Sequence, residues 1–288
     1  MNHLVCFGFG YTARALCRRL DPDRWRITAT VRHGNGEGGA GHRDVTLVGF
    51  GDGVGLPAGL LEAASHILTT IPPDEHGDPV VRQAGRQLAA AAPRWVGYLS
   101  STGVYGDRAG AWVDEDTPIA PASPRARRRA DAEAAWLELL ARHRLPVHIF
   151  RLPGIYGPGR SPVDQLLAGT ARRIVKPGHV FCRIHVDDIA GVLIASMARP
   201  RPGAVYNVCD DLPAAASDVV AHAASLLGRP PPDPVDIAQA DLSPAARSFY
   251  DECKRVANRR IKSELGYRLA YPTYREGLAA IAAAGSKT

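Results

Sequence analysis

The chain has 288 residues, 45% of them hydrophobic, with a formal charge of +6 and a pI near 9.2. That is apolar material for one large core with a smaller satellite, which excludes a disordered chain, and no stretch approaches the roughly 20 uncharged apolar residues of a membrane span. Five scattered cysteines (Cys6, Cys17, Cys182, Cys209, Cys253) lack the Cys-x-x-Cys spacing of a zinc site or disulfide framework. Residues 1–8 lack a signal peptide's basic-then-apolar layout, so a soluble cytoplasmic protein is expected. Much of the basic excess gathers at Arg125, Arg127, Arg128 and Arg129 without interleaved aromatics. No nucleic-acid partner is expected from that pattern, and an anionic small molecule accounts for the charge equally well.

In chain order, residues 4–7 predict a strand and 11–20 a helix. Ala13, Leu16, Cys17 and Leu20 share one face of that helix, and Asp21-Pro22 ends it. Strands are predicted at 25–31, 45–48, 65–71 and 95–100, with a helix after Pro79. Residues 34–41, Gly-Asn-Gly-Glu-Gly-Gly-Ala-Gly, are too rich in glycine to hold regular structure and predict a mobile loop. Ser123 and Pro124 read as cap and first position of a helix with Ala130, Ala134, Leu137 and Leu140 on one side, stopped by Pro146. A buried strand at 147–152, a helix containing Gly191 and Met197, and a last strand at 205–208 follow. Alternation of this kind predicts the α/β class, a Rossmann-type doubly wound parallel sheet over 1–208. Residues 209–288 offer helices, a proline-rich turn at Arg229-Pro230-Pro231-Pro232-Asp233-Pro234 and a helix end at Leu265-Gly266-Tyr267. They predict a small C-terminal α/β substrate lid, part of which is inserted at about 154–182.

Gly8-Phe9-Gly10-Tyr11-Thr12-Ala13 follows a strand and opens a helix, the context of a phosphate-binding turn. Gly8 permits the turn, Gly10 lets backbone approach a pyrophosphate, and Ala13 allows close helix packing. The second strand then ends in Arg32, where an NAD-specific site offers an acid to the ribose, and Asp44 lies too far along to replace it. A guanidinium there pairs with a 2′-phosphate, so NADP is the expected cofactor and NAD the alternative.

Tyr98-Leu99-Ser100-Ser101-Thr102-Gly103-Val104-Tyr105-Gly106 resembles the fifth strand and active-site serine of extended short-chain dehydrogenases/reductases, the nucleotide-sugar epimerase/dehydratase group. Arg151-Leu152-Pro153-Gly154-Ile155-Tyr156-Gly157-Pro158-Gly159 is similar to that group's R-x-x-N-x-Y-G-P-G segment, Arg183 to Ala190 to its H-V-D-D segment, and Tyr206-Asn207-Val208 to its final core strand. The resemblance covers residues 3–210. It implies that Ser101 orients a substrate oxygen, that Thr70, Ile71, Pro72 and Ser100 lie along the cofactor, and that Thr102, Tyr105, Tyr156 and Arg183 face the substrate. The family's Tyr-x-x-x-Lys pair falls on Arg125 and Arg129. An arginine stays protonated and cannot exchange the proton, although Arg129 can keep the lysine's electrostatic and ribose-binding part. Thr102 and Gly103 replace the dehydratases' acidic pair, which argues against sugar-nucleotide dehydration. Ile71-Pro72-Pro73 and Gly77-Asp78-Pro79 resemble the family's atypical branch; Asp78 either caps the following helix, the favoured reading, or replaces the family's asparagine.

His185, Asp187 and Asp188 fit hydrogen bonding and capping at a strand-to-helix turn better than a metal site. Ser101 lacks the Gly-x-Ser-x-Gly elbow of a hydrolase. The expected function is an NADP(H)-dependent oxidoreductase or epimerase-like enzyme, monomer or homodimer. It would act on a hydroxyl or carbonyl of a small or nucleotide-sugar-like, anionic substrate. The alternative is a non-catalytic NADP(H) sensor.

Overall fold

Leu4, Cys6, Val5 and Phe7 alternate along one strand and are all buried, so both of its faces must be covered. The computed structural model describes residues 1–32, 36–39 and 44–285 and shows how this is done. The chain begins β1 (Asn2–Phe7), α1 (Tyr11–Arg19), β2 (Trp25–Val31), β3 (Gly36–Gly39), β4 (Asp44–Gly49), β5 (His66–Thr69), α2 (Pro79–Ala90) and β6 (Trp95–Ser101). A 3-10 turn, Thr102–Tyr105, leads to β7 (Trp112–Val113), α3 (Pro124–His143), β8 (Val147–Leu152), β9 (Gly154–Tyr156), α4 (Pro162–Leu167), β10 (Arg173–Val175) and β11 (Arg183–His185). Then come α5 (Val186–Ala198), β12 (Val205–Asn207), α6 (Ala216–Leu226), β13 (Pro234–Asp236), α7 (Pro244–Ser248), β14 (Arg255–Val256), α8 (Arg259–Ser263) and α9 (Tyr274–Gly285).

The central sheet runs β12-β8-β6-β5-β1-β2-β4-β3, parallel except for β3 at its edge. On one face Leu4, Cys6, Trp95 and Leu99 pack against Ala13 and Leu16 of α1 and Ile189 and Leu193 of α5. On the other, Val5, Phe7, Val96 and Tyr98 meet Val80 and Leu88 of α2 and Trp136 of α3. Alternating residues therefore feed two different cores, the doubly wound arrangement predicted from the strand and helix order.

Helix starts follow the local chemistry. Asp78 caps α2, its Oδ1 accepting from the Val80 and Val81 amides at 2.8 and 3.1 Å, while Oδ2 accepts from Trp136 Nε1 at 3.1 Å. Ser123 caps α3 through the Ala126 amide at 3.2 Å, with Pro124 next.

Two differences from expectation stand out. Within the glycine-rich stretch, Gly36–Gly39 is a strand pairing antiparallel with β4, because an edge strand offers unpaired backbone groups that an extended glycine segment can satisfy; residues 34, 35, 40 and 41 lie outside the described residues. The pairs β9/β11, β10/β13 and β7/β14, each of two or three residues, also went unpredicted. They join α4, α6 and α9 into a smaller layer around Tyr156, Val163, Val219, Tyr274 and Leu278. Asp188 fastens the C-terminal segment to the first turn of α5: its carboxylate accepts from the Tyr267 hydroxyl at 2.8 Å and the Ala270 and Tyr271 amides at 2.7 and 3.0 Å. Among the described residues no helix is long and apolar enough to cross a membrane.

Candidate functional site

The sheet order reverses at β1, with β2 on one side and β5 on the other, so a crevice opens at the carboxyl ends of these strands. Gly8 leaves β1 at φ +88, and a Cβ there would stand 2.6 Å from Thr70 Oγ1, so only glycine fits. Its amide donates to Thr30 Oγ1 at 2.9 Å, while Thr70 Oγ1 donates to the Phe7 carbonyl at 3.1 Å. Gly10 is the N-terminal cap residue of α1, exposed, with nothing within 4 Å of the place its Cβ would occupy. No side chain caps α1 and no acid lies in its first turn. Open space in front of uncapped amides at a helix N-terminus fits an anionic pyrophosphate. Phe9 is buried beneath the Arg14 guanidinium, 4.5 Å from its ring, and Thr12 and Ala13 pack inward. Tyr11 donates to the Pro158 carbonyl at 3.0 Å, and burial pushes its hydroxyl up to about 12. Arg32 is exposed just beyond β2, at the same end of the sheet. Ile71 and Pro72 follow Thr70, the first half-buried and the second exposed.

Ser101 ends β6 and caps the 3-10 turn, its Oγ accepting from the Gly103 amide at 3.1 Å. A Cβ on Gly103 would touch both that Oγ and Ala126, so Ser101 faces the first turn of α3. Accepting through a lone pair leaves its O–H able to donate. Thr102 is buried beside it.

Beneath Ser101 lies a buried polar network. Arg151 forks onto Glu133, Nη2 to Oε2 at 2.8 Å and Nε to Oε1 at 3.1 Å, and its Nη1 donates to the Tyr105 hydroxyl at 2.9 Å. Tyr105 donates in turn to Asn207 Oδ1 at 2.8 Å, and Ser100 donates to Glu133 Oε1 at 2.5 Å. Tyr105 is fully buried with its hydroxyl engaged, and Ser100 donates to Glu133, so both are tied into the floor of the site. The sequence offered no sign of Glu133 because its partner lies 18 residues on and across an element boundary.

Arg129 is turned inward, Nη1 donating to the Tyr98 hydroxyl at 2.9 Å and the Leu99 carbonyl at 3.0 Å, so its charge lies against the end of β6. Arg125 is exposed one turn earlier, 5.5 Å from the ring of Phe249, which follows α7. Arg127 donates to the Ala122 carbonyl. The basic run is thus partly bound to its own fold rather than wholly solvated.

Tyr156 is buried, with its ring edge-on to His185, 5.2 Å between centroids. It lines a cavity of about 420 Å³ together with Arg183, whose Nη1 donates to the Phe181 and Ala214 carbonyls at 2.9 and 3.0 Å. Arg160 and Gly159 form the rim and reach the nucleotide turn, the Arg160 guanidinium lying 5.8 Å from the Tyr11 ring. His185 caps α5 by accepting from the Asp187 amide through Nδ1 at 3.2 Å. Among the described residues no histidine, cysteine and carboxylate cluster has metal-binding geometry. Sequence reasoning missed Asp210, two residues beyond the last predicted strand; it is 2% exposed, one of its oxygens has no hydrogen-bond partner, and burial pushes its carboxyl up to about 7.

The sheet order, the switch point and the glycine turn define a Rossmann-type α/β protein. The family model for the NAD dependent epimerase/dehydratase family matches residues 83–209. A functionally unknown conserved protein from Silicibacter pomeroyi DSS is 51% identical, each chain covered to 99%, with a TM-score of 0.88. The dTDP-glucose 4,6-dehydratase of Bacillus anthracis str. Ames, in complex with NAD, shares 18% identity over 100% of this chain and 97% of its own, at a TM-score of 0.77. Human epimerase family protein SDR39U1 with NADPH shares 19% over 98% and 99%, at 0.73. The last two likenesses speak for the fold alone. Residues 83–209 belong to the NAD dependent epimerase/dehydratase family, on a fold that these neighbours share over their whole length.

Proposed function

We propose that the chain is an NADP(H)-dependent oxidoreductase or epimerase-like enzyme acting on a hydroxyl or carbonyl of a small anionic substrate. The observation that carries this reading is the phosphate cradle: Gly8 at positive φ, open space at Gly10, uncapped α1 amides, and Ser101 ending β6 in the same parallel sheet. A bound nicotinamide supplies or accepts the hydride. Gly8, Gly10 and the first-turn amides of α1 hold the pyrophosphate, and Arg32, with no acid at its strand end, receives a 2′-phosphate. Ser101 donates its proton to the substrate oxygen in a hydrogen bond, and Arg129 sets a fixed positive charge beside it. Neither Arg125 nor Arg129 releases a proton near neutral pH, so proton exchange falls to another group or to water.

Turnover is tested by following NADPH absorbance across a panel of carbonyl and alcohol substrates. Ser101→Ala is expected to lower kcat/KM about 100-fold, the usual cost of one donor to a developing oxyanion. The replacement of the tyrosine and lysine by Arg125 and Arg129 favours a second reading, a sensor that binds without turnover, and NADPH binding with no activity on any substrate would select it. For the cofactor, Arg32→Glu is expected to weaken NADPH about 10- to 100-fold by fluorescence titration, the worth of a charge-assisted bond, and to change NADH much less. Tighter binding of NADH than NADPH by the wild-type chain would refute the 2′-phosphate assignment.

A further inference from the structure

Strands β9 and β11 pair in parallel with Gly154 opposite Arg183. The family pattern carries asparagine where Gly154 stands. Without a side chain at 154 the Arg183 stem lies over the strand: a Cβ there would stand 3.9 Å from Arg183 Cγ and 3.5 Å from the Cys182 carbonyl. An amide has thus been removed from the cavity wall, and a guanidinium arrives from the neighbouring strand.

That guanidinium is held in a definite pose. Nη1 is fixed by the Phe181 and Ala214 carbonyls, and among the described residues the rest of the guanidinium has no hydrogen-bond acceptor and no ion pair, Asp210 acting on it only through space. The buried acid beside it, Asp210, is pushed up to about 7 by burial, so below neutral pH it is mostly protonated and offsets the arginine's charge only in part. The other carboxylate of the cavity, Asp164, is engaged at the start of α4, accepting from the Gly159 amide at 3.2 Å and the Ser161 hydroxyl at 2.5 Å. Ile155, Tyr156, Val219, Tyr274 and Leu278 make the apolar and aromatic part of the wall, and Ser161 and Gln165 add polar groups on the α4 side.

We propose that this cavity of about 420 Å³ receives a small carboxylic acid, its carboxylate on the open edge of the Arg183 fork and its apolar body against the tyrosine and aliphatic walls. The assignment names the substrate class of the enzyme proposed above and rests on that reading. A planar guanidinium with one edge already anchored matches a carboxylate, which it can meet through two N–H groups. A nucleoside diphosphate carries more charge than one fixed arginine balances, and the second cation of the cavity, Arg160, is exposed at the rim. The volume lies within the range of ordinary small-molecule sites.

The test uses trans-cinnamate, its neutral amide and UDP as probes, titrated calorimetrically into the full chain with and without saturating NADPH. Cinnamate is expected to bind ~10-fold or more tightly than cinnamamide, the discrimination of one charge-assisted pair, and more tightly than UDP. Arg183→Met should bring cinnamate to the amide's affinity, and Arg183→Lys should recover part of the difference, because it keeps the charge but not the fork. Arg183→Gln, which keeps a polar side chain but not the charge, should likewise bring cinnamate to the amide's affinity, which keeps the test sound should Arg183→Met melt early. Equal binding of cinnamate and its amide, binding of neither, unaltered cinnamate affinity in Arg183→Met, or tighter binding of UDP would each overturn the assignment. NADPH titrated in the same series separates the two readings: a chain that binds no NADPH sinks the proposed cofactor, while the acid-against-amide comparison without it still decides the role of Arg183.

Discussion

Arg151→Met is expected to lower the free energy of unfolding by about 3–5 kcal/mol, the cost of removing one partner from a buried ion pair. Arg151 and Glu133 are 6% and 3% exposed, so the stranded Glu133 carboxylate would find no water in place of the guanidinium. Burial alone works against the Arg151 charge, and Glu133 more than restores it, raising its pKa. The loss also reaches Tyr105, which would forfeit the donor to its hydroxyl, and through it Asn207. Most of this cost belongs to the unpaired charge rather than to the pair. The double replacement Glu133→Leu with Arg151→Met is accordingly expected to recover much of the stability, since apolar residues of similar volume often serve as well. Urea denaturation of both variants reads the difference. A single variant within about 1 kcal/mol of wild type would show that the network contributes no more than a surface pair. Because the network joins β6, β8, α3 and the 3-10 turn, Ser101 and Arg129 should lose their mutual placement in any variant that folds without it.

The second large effect is a pH dependence centred on Asp210. Its carboxyl is pushed from the ordinary 3.8 up to about 7, chiefly by burial; Arg183 pulls it down, and the neighbouring Asp211 and Asp188 push it further up. Between pH 4 and 7 the folded chain holds a proton at Asp210 that the unfolded chain has released. Stability therefore falls with rising pH by about 1.4 kcal/mol per unit, roughly 4 kcal/mol over the window, is fully present below pH 4, and changes no further above 7. The sign is opposite to that of a salt-bridged aspartate. Asp210→Asn removes the titration, so the stability of wild type relative to this variant should decline by that amount between pH 4 and 8, and other titrating groups cancel in the difference. Denaturation at four pH values checks it; a difference that stays flat would mean that water or a counter-charge reaches Asp210.

Much of the fold is legible locally. Largely uninterrupted apolar runs mark the strands of the central sheet, as residues 4–7 and 95–99 show, because a strand covered on both faces has no solvent side to break them. Ser123-Pro124 and Asp78-Pro79 mark helix starts because a capping oxygen and its amides lie within three residues of each other. Gly8 and Gly10 carry their signal in the same way, since the strain at one and the open space at the other concern the backbone itself.

The candidate site is less legible for the converse reason. Strands β9 and β11 have three residues each and no period to detect, so the pairing of Gly154 with Arg183 depends on packing between segments 29 residues apart. Glu133 with Arg151, Asp188 with Tyr267 and Asp210 in its dry pocket owe their chemistry to burial and to partners remote in the chain. Sequence spacing shows which residues share a strand or a helix face. Which charge is desolvated and which donor is left open follows from contacts that exist once the layers close.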